Sequence, residues 1–192
     1  MRADAARRRQ AIVTAALELF RAHGNNVSLE KIAAHAGVGI ATLYRNFPDR
    51  QALIDECVSA YAQRFIDTQN LLLERLDTDP ENAGGTVCAY ARELLSLGLG
   101  VLIPRFLPAN LESLPPEQKA LQNELMDNGA RFIEKARALG QVGPGVTHLE
   151  FTVGLLALQR PREVSLGEVE NELDNAMIRI YLAGIRVGIK PD

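Results

Sequence analysis

The sequence lacks the long apolar run that a membrane-spanning helix requires. Hydrophobic residues make up 47% of its 192 residues, but the longest apolar stretch, residues 94–107, is interrupted by glycines, a proline and an arginine. A membrane span needs about 18 apolar residues in succession. The first 15 residues are charged and periodic, without the apolar core of a signal peptide. We therefore predict a cytoplasmic protein without a membrane partner.

Patterns typical of enzymes and metal sites are missing as well. The two cysteines, Cys57 and Cys88, each lie in an apolar helical pattern, which predicts reduced core thiols. The three histidines, His23, His35 and His148, fall on separate predicted elements. The chain contains no Ser-His-Asp pattern, no glycine-rich phosphate loop and no paired Cys/His ligands. The sequence therefore predicts no metal, no cofactor and no enzymatic activity.

Net positive charge is confined to the amino-terminal part of the chain. Residues 1–50 carry eight basic and four acidic side chains, a net charge of +4, whereas the remaining 142 residues carry 13 basic and 20 acidic side chains, a net charge of −7. This asymmetry favours a protein that presents one end to a polyanion; the alternative is chance segregation of solvated charge. Arg7, Arg8 and Arg9 form either a solvated helix start or a contact to a DNA phosphate or the minor groove.

Apolar residues recur at helical spacing along the chain, and no segment alternates in the manner of a β-strand. Ser28 and Asp49 are suited to cap helices, and Thr147 and Ser165 each open a capping-box pattern that ends in glutamate. We predict an all-α fold of about nine helices, over residues 5–23, 29–36, 40–47, 49–76, 80–97, 98–108 and 114–139, and from 147 and 165 onward.

The stretch from residue 37 to residue 53 predicts a short helix held between two others. Gly37 and Gly39 favour a tight turn, because glycine adopts positive φ at little cost. On the helix that follows, Leu43 and Phe47 are spaced i, i+4 and share a face that we assign to packing. Pro48 ends this helix. A helix of this length, with polar and small residues on its other faces, suits a groove of DNA.

Residues 36–53, AGVGIATLYRNFPDRQAL, resemble the recognition-helix signature of the TetR family of transcriptional regulators. The similarity rests on A-G-V before the helix, T-L-Y within it and F-P-x-[KR]-x-x-L after it, and with the flanking helices it extends over residues 7–60. The resemblance implies an amino-terminal three-helix DNA-binding unit with a helix-turn-helix, residues 1–48. It also implies a larger carboxy-terminal helical domain for ligand binding and dimerisation, residues 49–192.

The resemblance also implies which residues contact DNA. Arg45 is the strongest candidate for base recognition, since its guanidinium can pair with guanine through two hydrogen bonds. Gly39 and Ile40 depart from the commoner serine and lysine or arginine, and make the helix start small and apolar. Tyr44 is either a phosphate contact or a core aromatic with a buried hydroxyl. The implied base contacts are Gly39, Ile40, Ala41 and Arg45, and the implied phosphate contacts are Ser28, Lys31, Thr42, Tyr44, Asn46 and Arg50.

Two further sites follow from the resemblance. Gly184 and Gly188, one turn apart, would permit close approach of the last helix to a second copy; fraying of that helix is the alternative. The implied dimer interface comprises Leu155, Leu158, Leu173, Met177, Ile180 and Gly184. The implied ligand pocket comprises Tyr90, Leu94, Leu102, Phe106, Leu125, Met126, Phe132 and Phe151, each of which has a core role as its alternative.

These implications define one leading hypothesis. The chain is expected to be a homodimeric repressor that is released from a palindromic double-stranded DNA operator by a small lipophilic or aromatic inducer. One alternative is a helical DNA-binding protein that needs no ligand. Another is a helical ligand-binding or enzymatic bundle in which the DNA-binding motif is a coincidence.

Overall fold

The computed structural model describes residues 2–23, 27–96, 114–158 and 169–188. Within these ranges the chain forms eight α-helices and one short 3-10 helix, with no strand. The predicted all-α fold is therefore confirmed. The helices are α1 (Arg2–His23), α2 (Leu29–His35), α3 (Ile40–Asn46), α4 (Arg50–Thr78), α5 (Ala83–Ser96), α6 (Pro116–Ala138), α7 (His148–Ala157) and α8 (Val169–Val187), and the 3-10 helix is Pro80–Asn82.

The predicted helix caps are present where the structure describes them. The side chain of Ser28 accepts a hydrogen bond from the Lys31 amide, and that of Asp49 accepts one from the Ala52 amide. Thr147 and Glu150 form both hydrogen bonds of a capping box. The predicted cap at Ser165 and the predicted helix over 98–108 lie outside the described residues.

The turn between α2 and α3 uses its two glycines differently. Gly37 has a φ of +68°, a conformation that side chains other than glycine's rarely allow. Gly39 precedes α3 with an ordinary extended backbone, φ −72° and ψ 148°. The expectation that both glycines serve the turn through positive φ is therefore wrong for Gly39.

Two apolar clusters are joined by α4. The first cluster packs α1, α2 and α3 against the beginning of α4, and includes Leu43, Phe47 and Cys57. The second packs the rest of α4 against α5 to α8, and includes Phe65 and Tyr90. With 29 residues, α4 is about 43 Å long. Its length allows one helix to contribute side chains to both clusters.

Helix α6 packs along α4 in the same direction. Near its start, Gln118 Nε2 donates to the carbonyl oxygen of Asp55, 3.3 Å away. Near its end, Lys135 pairs with Asp77. The two helices are thereby in contact over most of the length of α4. None of the described helices combines the length and apolarity needed to cross a membrane.

Both cysteines are free thiols, as predicted. Cys57 is buried between α4 and α1, and burial, with the nearby Glu56 charge, raises the pKa of its thiol to about 12. Cys88 is half-buried. The expectation of a core position is thus met fully by Cys57 and in part by Cys88.

Candidate nucleic-acid interface

One face of α3 is open to solvent and the opposite face is closed. Leu43 and Phe47 are completely buried in the first cluster, which confirms their assignment to packing. Two pairs spaced i, i+4, namely Ile40 with Tyr44 and Ala41 with Arg45, lie exposed. Because i, i+4 neighbours share a helix face, these four side chains form one solvent-facing surface. All four predicted base contacts, including the exposed Gly39 that precedes the helix, lie on this surface or at its start.

Within the described residues, the side chain of Arg45 has a hydrogen-bond partner on its own helix. Its Nη2 donates to Thr42 Oγ1 at 3.0 Å, and both residues lie on the same helix. The side chain of Arg45 is exposed. The geometry is compatible with a fork of two donors aimed at the edge of a base.

Some of the predicted phosphate contacts have exposed side chains, and the others are half-buried. Tyr44 is 47% exposed, so the alternative of a core tyrosine with a buried hydroxyl is wrong. Ser28 and Lys31 are exposed at the start of α2. Asn46 is half-buried, and its amide donates to the Thr42 carbonyl oxygen at 2.8 Å. Thr42 is half-buried as well.

Arg50 is half-buried and contacts the amino-terminal cluster. Its Nη1 donates to the Val27 carbonyl oxygen at 2.6 Å, and its Cζ lies 5.4 Å from the centroid of the Phe20 ring. These contacts hold the start of α4 against the loop before α2. A role at a phosphate stays a prediction for Arg50, which also has this packing role.

The basic cluster at the start of α1 is not uniform. Arg7 and Arg8 are exposed, whereas Arg9 is half-buried and directed towards α3 and α4. The two roles predicted from the sequence applied equally to all three arginines. The distinguishing signal is periodicity, because Arg9 lies three and four residues before the buried Ile12 and Val13 and so borders the buried face of α1.

The predicted pocket residues that the structure describes belong mostly to the second cluster. Tyr90, Leu94, Phe132 and Phe151 are buried, Leu125 is half-buried and Met126 is exposed. The ring of Tyr90 is stacked on that of Phe132, with centroids 4.0 Å apart. Leu102 and Phe106 lie outside the described residues.

A buried polar group that was not predicted lies within this apolar cluster. The hydroxyl of Tyr90 accepts a hydrogen bond from Gln69 Nε2 at 3.0 Å and lies 2.9 Å from His148 Nε2. Gln69 Nε2 also donates to the Leu125 carbonyl oxygen at 3.1 Å. The sequence carried a signal for this group, since Gln69 interrupts the apolar stripe of α4 between Phe65 and Leu72.

His148 gives the fold a dependence on pH. Burial lowers the pKa of its imidazole below the ordinary value of 6.5. Because the unfolded chain then binds a proton more readily than the folded one, the free energy of unfolding should fall as the pH drops below about 6.5, by at most about 1.4 kcal/mol per pH unit. Above about pH 6.5 the imidazole is mostly neutral in both the folded and the unfolded chain, so His148 no longer changes the free energy of unfolding with pH. Urea unfolding between pH 5 and 8 measures this slope.

The control for this prediction is His148→Gln, which cannot titrate. His23 and His35 remain in both proteins, so subtracting the two pH profiles isolates the contribution of His148. Parallel profiles for the wild type and the variant would contradict the assignment.

The predicted dimer residues on α8 form an exposed apolar stripe. Leu173, Met177, Ile180 and Gly184 are exposed, and their spacing of three and four residues puts them on one face of the helix. On α7, Leu155 is completely buried in the second cluster and offers a partner no side-chain surface, and Leu158 is half-buried. The exposed apolar side chains of α7 are instead Leu149 and Val153, which the sequence analysis did not single out.

The chain is similar to known proteins in sequence over its amino-terminal region and in structure over nearly its whole length. Residues 12–57 match the family model described as bacterial regulatory proteins, tetR family. A Staphylococcus aureus HTH-type transcriptional regulator is 44% identical over 67 residues, which cover 34% of this chain and 36% of that protein. The chain thus matches only about a third of the length of this relative.

Similarity to solved structures extends over nearly the whole chain. A TetR transcription regulatory protein from Mycobacterium vanbaalenii superposes with a TM-score of 0.68 at 24% identity, covering 97% of this chain and 99% of that one. The TetR-like regulator LfrR from Mycobacterium smegmatis, solved in complex with proflavine, superposes with a TM-score of 0.64 at 23% identity, covering 97% and 99%. At these identities the likeness establishes the fold.

The fold and the exposed face of α3 define a class: all-helical proteins that carry an amino-terminal helix-turn-helix on a larger helical body. In its amino-terminal unit, residues 12–57, the chain is similar to the TetR family of bacterial regulatory proteins. The resemblance carried by residues 36–53 is therefore confirmed. The matched family and relatives are transcriptional regulators and not enzymes.

Proposed function

We propose that the chain is a DNA-binding transcriptional regulator that represses as a homodimer and leaves its palindromic operator when a small molecule binds. One observation carries the DNA-binding part. The exposed face of α3 presents Ile40, Ala41, Tyr44 and Arg45 together, while Leu43 and Phe47 fix the helix from behind. A short helix held in this way can enter the major groove, where base edges are accessible.

The chemistry of α3 suggests what the operator contains. Gly39, Ile40 and Ala41 are small or apolar and suit contact with thymine methyl groups, and Arg45 suits a guanine. Ser28, Lys31, Thr42, Tyr44, Asn46 and Arg50 are proposed to hold phosphates, which fix the register of the helix on the duplex. The DNA-binding unit is proposed to be residues 1–48, and residues 49–192 the ligand-binding and dimerisation domain.

The proposal is tested by selecting bound sequences from a random duplex pool at about 150 mM salt, a concentration that suppresses binding through phosphates alone. Recovery of one palindromic motif would support a sequence-specific dimer. Retention of DNA only at low salt, with no common motif, would contradict sequence-specific regulation.

Dimer formation is proposed to use the α8 stripe. A single recognition helix buries too little surface for tight operator binding, so two copies on two half-sites are needed. An exposed apolar stripe on one helix face is suited to pack against its own mate. The residues proposed for this interface are Leu158, Leu173, Met177, Ile180 and Gly184, together with Leu149 and Val153 of α7.

Replacing Ile180 with glutamate is expected to dissociate the dimer. Ile180 is 66% exposed in the isolated chain, so the substitution should leave the monomer folded. In a two-fold symmetric interface every substitution occurs twice, and two buried carboxylates should raise the dimer dissociation constant by more than about tenfold. Sedimentation velocity over a concentration series measures this constant.

Leu71→Glu is the matched control for the dimer prediction. Leu71 is also a large exposed apolar residue, 56% exposed, but it lies on α4. The control should dimerise as the wild type does. Equal dissociation constants for the Ile180 variant and the wild type would remove α8 from the proposed interface.

The inducer is proposed to be lipophilic or aromatic and to bind in the second cluster, where Tyr90, Leu94, Leu125, Met126, Phe132 and Phe151 are found, with Leu102 and Phe106 as further candidates. The proposal rests on the apolar character of this cluster and on the buried polar group formed by Gln69, Tyr90 and His148. The operator duplex recovered by selection provides the assay, in which candidate compounds are screened for loss of DNA binding. Compounds that release the wild type should lose potency against Tyr90→Ala.

A further inference from the structure

One guanidinium joins the helices α1, α3 and α4. Arg9, on α1, donates from Nη1 to the Asn46 carbonyl oxygen at 2.8 Å. It pairs with Glu56 of α4 through both carboxylate oxygens, at 2.7 Å from Nη2 and 3.4 Å from Nε. Its Cζ lies 4.2 Å from the centroid of the Phe47 ring. Asn46 is the last residue of α3, and Phe47 is the residue that caps it.

These contacts fall where α3 is least able to hold itself. A helix of seven residues has almost no intrinsic stability, so its orientation depends on what it packs against. The carbonyl of Asn46 is one of the groups that a helix end leaves without a partner, and a cation there complements the helix dipole. Only arginine offers a planar fork that can pair with a carboxylate, donate to a carbonyl and stack on a ring together.

The same turn of α4 is also contacted by α6. Gln118 of α6 donates to the carbonyl oxygen of Asp55, the residue before Glu56. The turn is therefore fixed both to the amino-terminal unit, through Arg9, and to the carboxy-terminal helices, through Gln118.

We propose that Arg9 is a positioning residue for the recognition helix: paired with Glu56, it fixes the end of α3 against α4, and sequence-specific DNA affinity depends on this pair although Glu56 touches no DNA. The inference rests on the proposed function, and it assigns to Arg9 a role distinct from a phosphate contact. In the phosphate role, the guanidinium would act through its charge alone.

Charge and positioning predict opposite effects for Glu56→Gln. Removing a carboxylate near the DNA-binding surface makes that surface more positive, which should tighten binding to any duplex. Loss of the fork on Arg9 should instead weaken binding to the selected operator alone. The side chains of Arg9 and Glu56 are 41% and 40% exposed, and pairs this exposed contribute little to global stability. A loss of specific affinity therefore does not follow from unfolding.

Asp55→Asn is the matched control. It removes the same charge one residue away, and within the described part of the chain the Asp55 side chain accepts a hydrogen bond from Gln51 of its own helix, at 2.9 Å. The contact with Gln118 uses the backbone carbonyl and is retained. Arg9→Lys complements these variants, because it keeps the positive charge but loses the planar fork.

The first measurement is the dissociation constant of each variant for the selected operator and for a scrambled duplex, by fluorescence anisotropy. Glu56→Gln and Arg9→Lys should weaken operator binding about five- to tenfold, which is an ordinary size for coupling between a distant contact and a binding site. Binding to the scrambled duplex should be unchanged or tighter. Asp55→Asn should leave both unchanged or slightly tighter. Tighter operator binding by Glu56→Gln, or equal behaviour of Glu56→Gln and Asp55→Asn, would overturn the positioning role.

The second measurement does not depend on DNA. Amide hydrogen exchange over residues 40–47 of the free protein reports how firmly α3 is held. Exchange there should be about fivefold faster in Glu56→Gln and Arg9→Lys than in Asp55→Asn, because local opening controls the rate. If the wild type selects no operator, the proposed function fails and exchange alone decides the inference. Equal exchange in the three variants would refute it, as would faster exchange without loss of operator affinity.

Discussion

Replacing Arg45 with alanine is expected to weaken binding to the selected operator about ten- to a hundredfold, while binding to unrelated duplexes changes little. A bidentate contact from arginine to guanine contributes about 1–3 kcal/mol of discrimination, and each 1.4 kcal/mol corresponds to about a factor of ten. Binding to unrelated DNA should lose only the contribution of one positive charge.

The fold should tolerate this substitution. Arg45 is exposed on α3, and its one side-chain hydrogen bond within the described residues goes to Thr42 Oγ1 on the same helix. An exposed contact of this kind contributes little to stability. The comparison of operator and unrelated duplexes can therefore be made at equal concentrations of folded protein.

Arg45→Lys separates geometry from charge. Lysine keeps the positive charge but cannot form the planar fork, so it should retain binding to unrelated DNA and lose discrimination at one position of the operator. Anisotropy titrations with the operator and with duplexes substituted base by base identify that position. Equal losses on operator and unrelated DNA in Arg45→Ala would show that Arg45 contacts a phosphate.

Local chemistry explains which parts of the fold could be predicted from the sequence. At Ser28, Asp49 and Thr147 the capping side chain accepts a hydrogen bond from the amide three residues further along the chain. The sequence pattern that predicts these caps therefore lies within one helical turn. The burial of Leu43 and Phe47 follows from their i, i+4 spacing in the same way.

Contacts between distant residues explain what the sequence left open. Arg9 and Glu56 are separated by 47 residues. Periodicity places Arg9 at the border of the buried face of α1, but it does not show that the side chain meets Glu56 on α4. The exposure of Tyr44 was likewise open, because a tyrosine at the edge of a short helix suits either a core or a phosphate. The resemblance implied that Leu155 lies at a dimer surface, but its burial in the second cluster, which the sequence does not show, encloses this residue.

The same limit applies to buried polar groups. Gln69 was visible as a break in an apolar stripe, but its partner Tyr90 lies 21 positions further along the chain, and His148, the partner of Tyr90, lies another 58 positions on. The ring of His148 also determines why a glycine is required at position 129, in the middle of α6. That requirement leads to the largest expected effect on stability.

Replacing Gly129 with alanine is expected to destabilise the protein by about 2–3 kcal/mol, as overpacking of a closed core does, although alanine normally favours a helix interior over glycine by about 1 kcal/mol. A Cβ at position 129 would lie 2.1 Å from Cε1 and 2.3 Å from Nε2 of His148. The ring cannot move aside freely, because His148 Nε2 lies 2.9 Å from the Tyr90 hydroxyl and 3.2 Å from Thr152 Oγ1. Urea unfolding of the variant gives the change directly.

The clash can be assigned by removing the ring. In Gly129→Ala/His148→Ala the added methyl group meets no imidazole. The double variant should therefore lose less free energy of unfolding than the sum of the losses in the two single variants, with a coupling energy of at least about 1 kcal/mol. Gly85→Ala is the control, since the side chain that its Cβ would meet belongs to Asn82, which is exposed and can turn into solvent. The control should be neutral or slightly stabilising. If the free-energy changes of the two single substitutions were strictly additive, the backbone of α6 would have shifted at position 129 to accept the methyl group. The packing of His148 on the helix would then not be what requires glycine there.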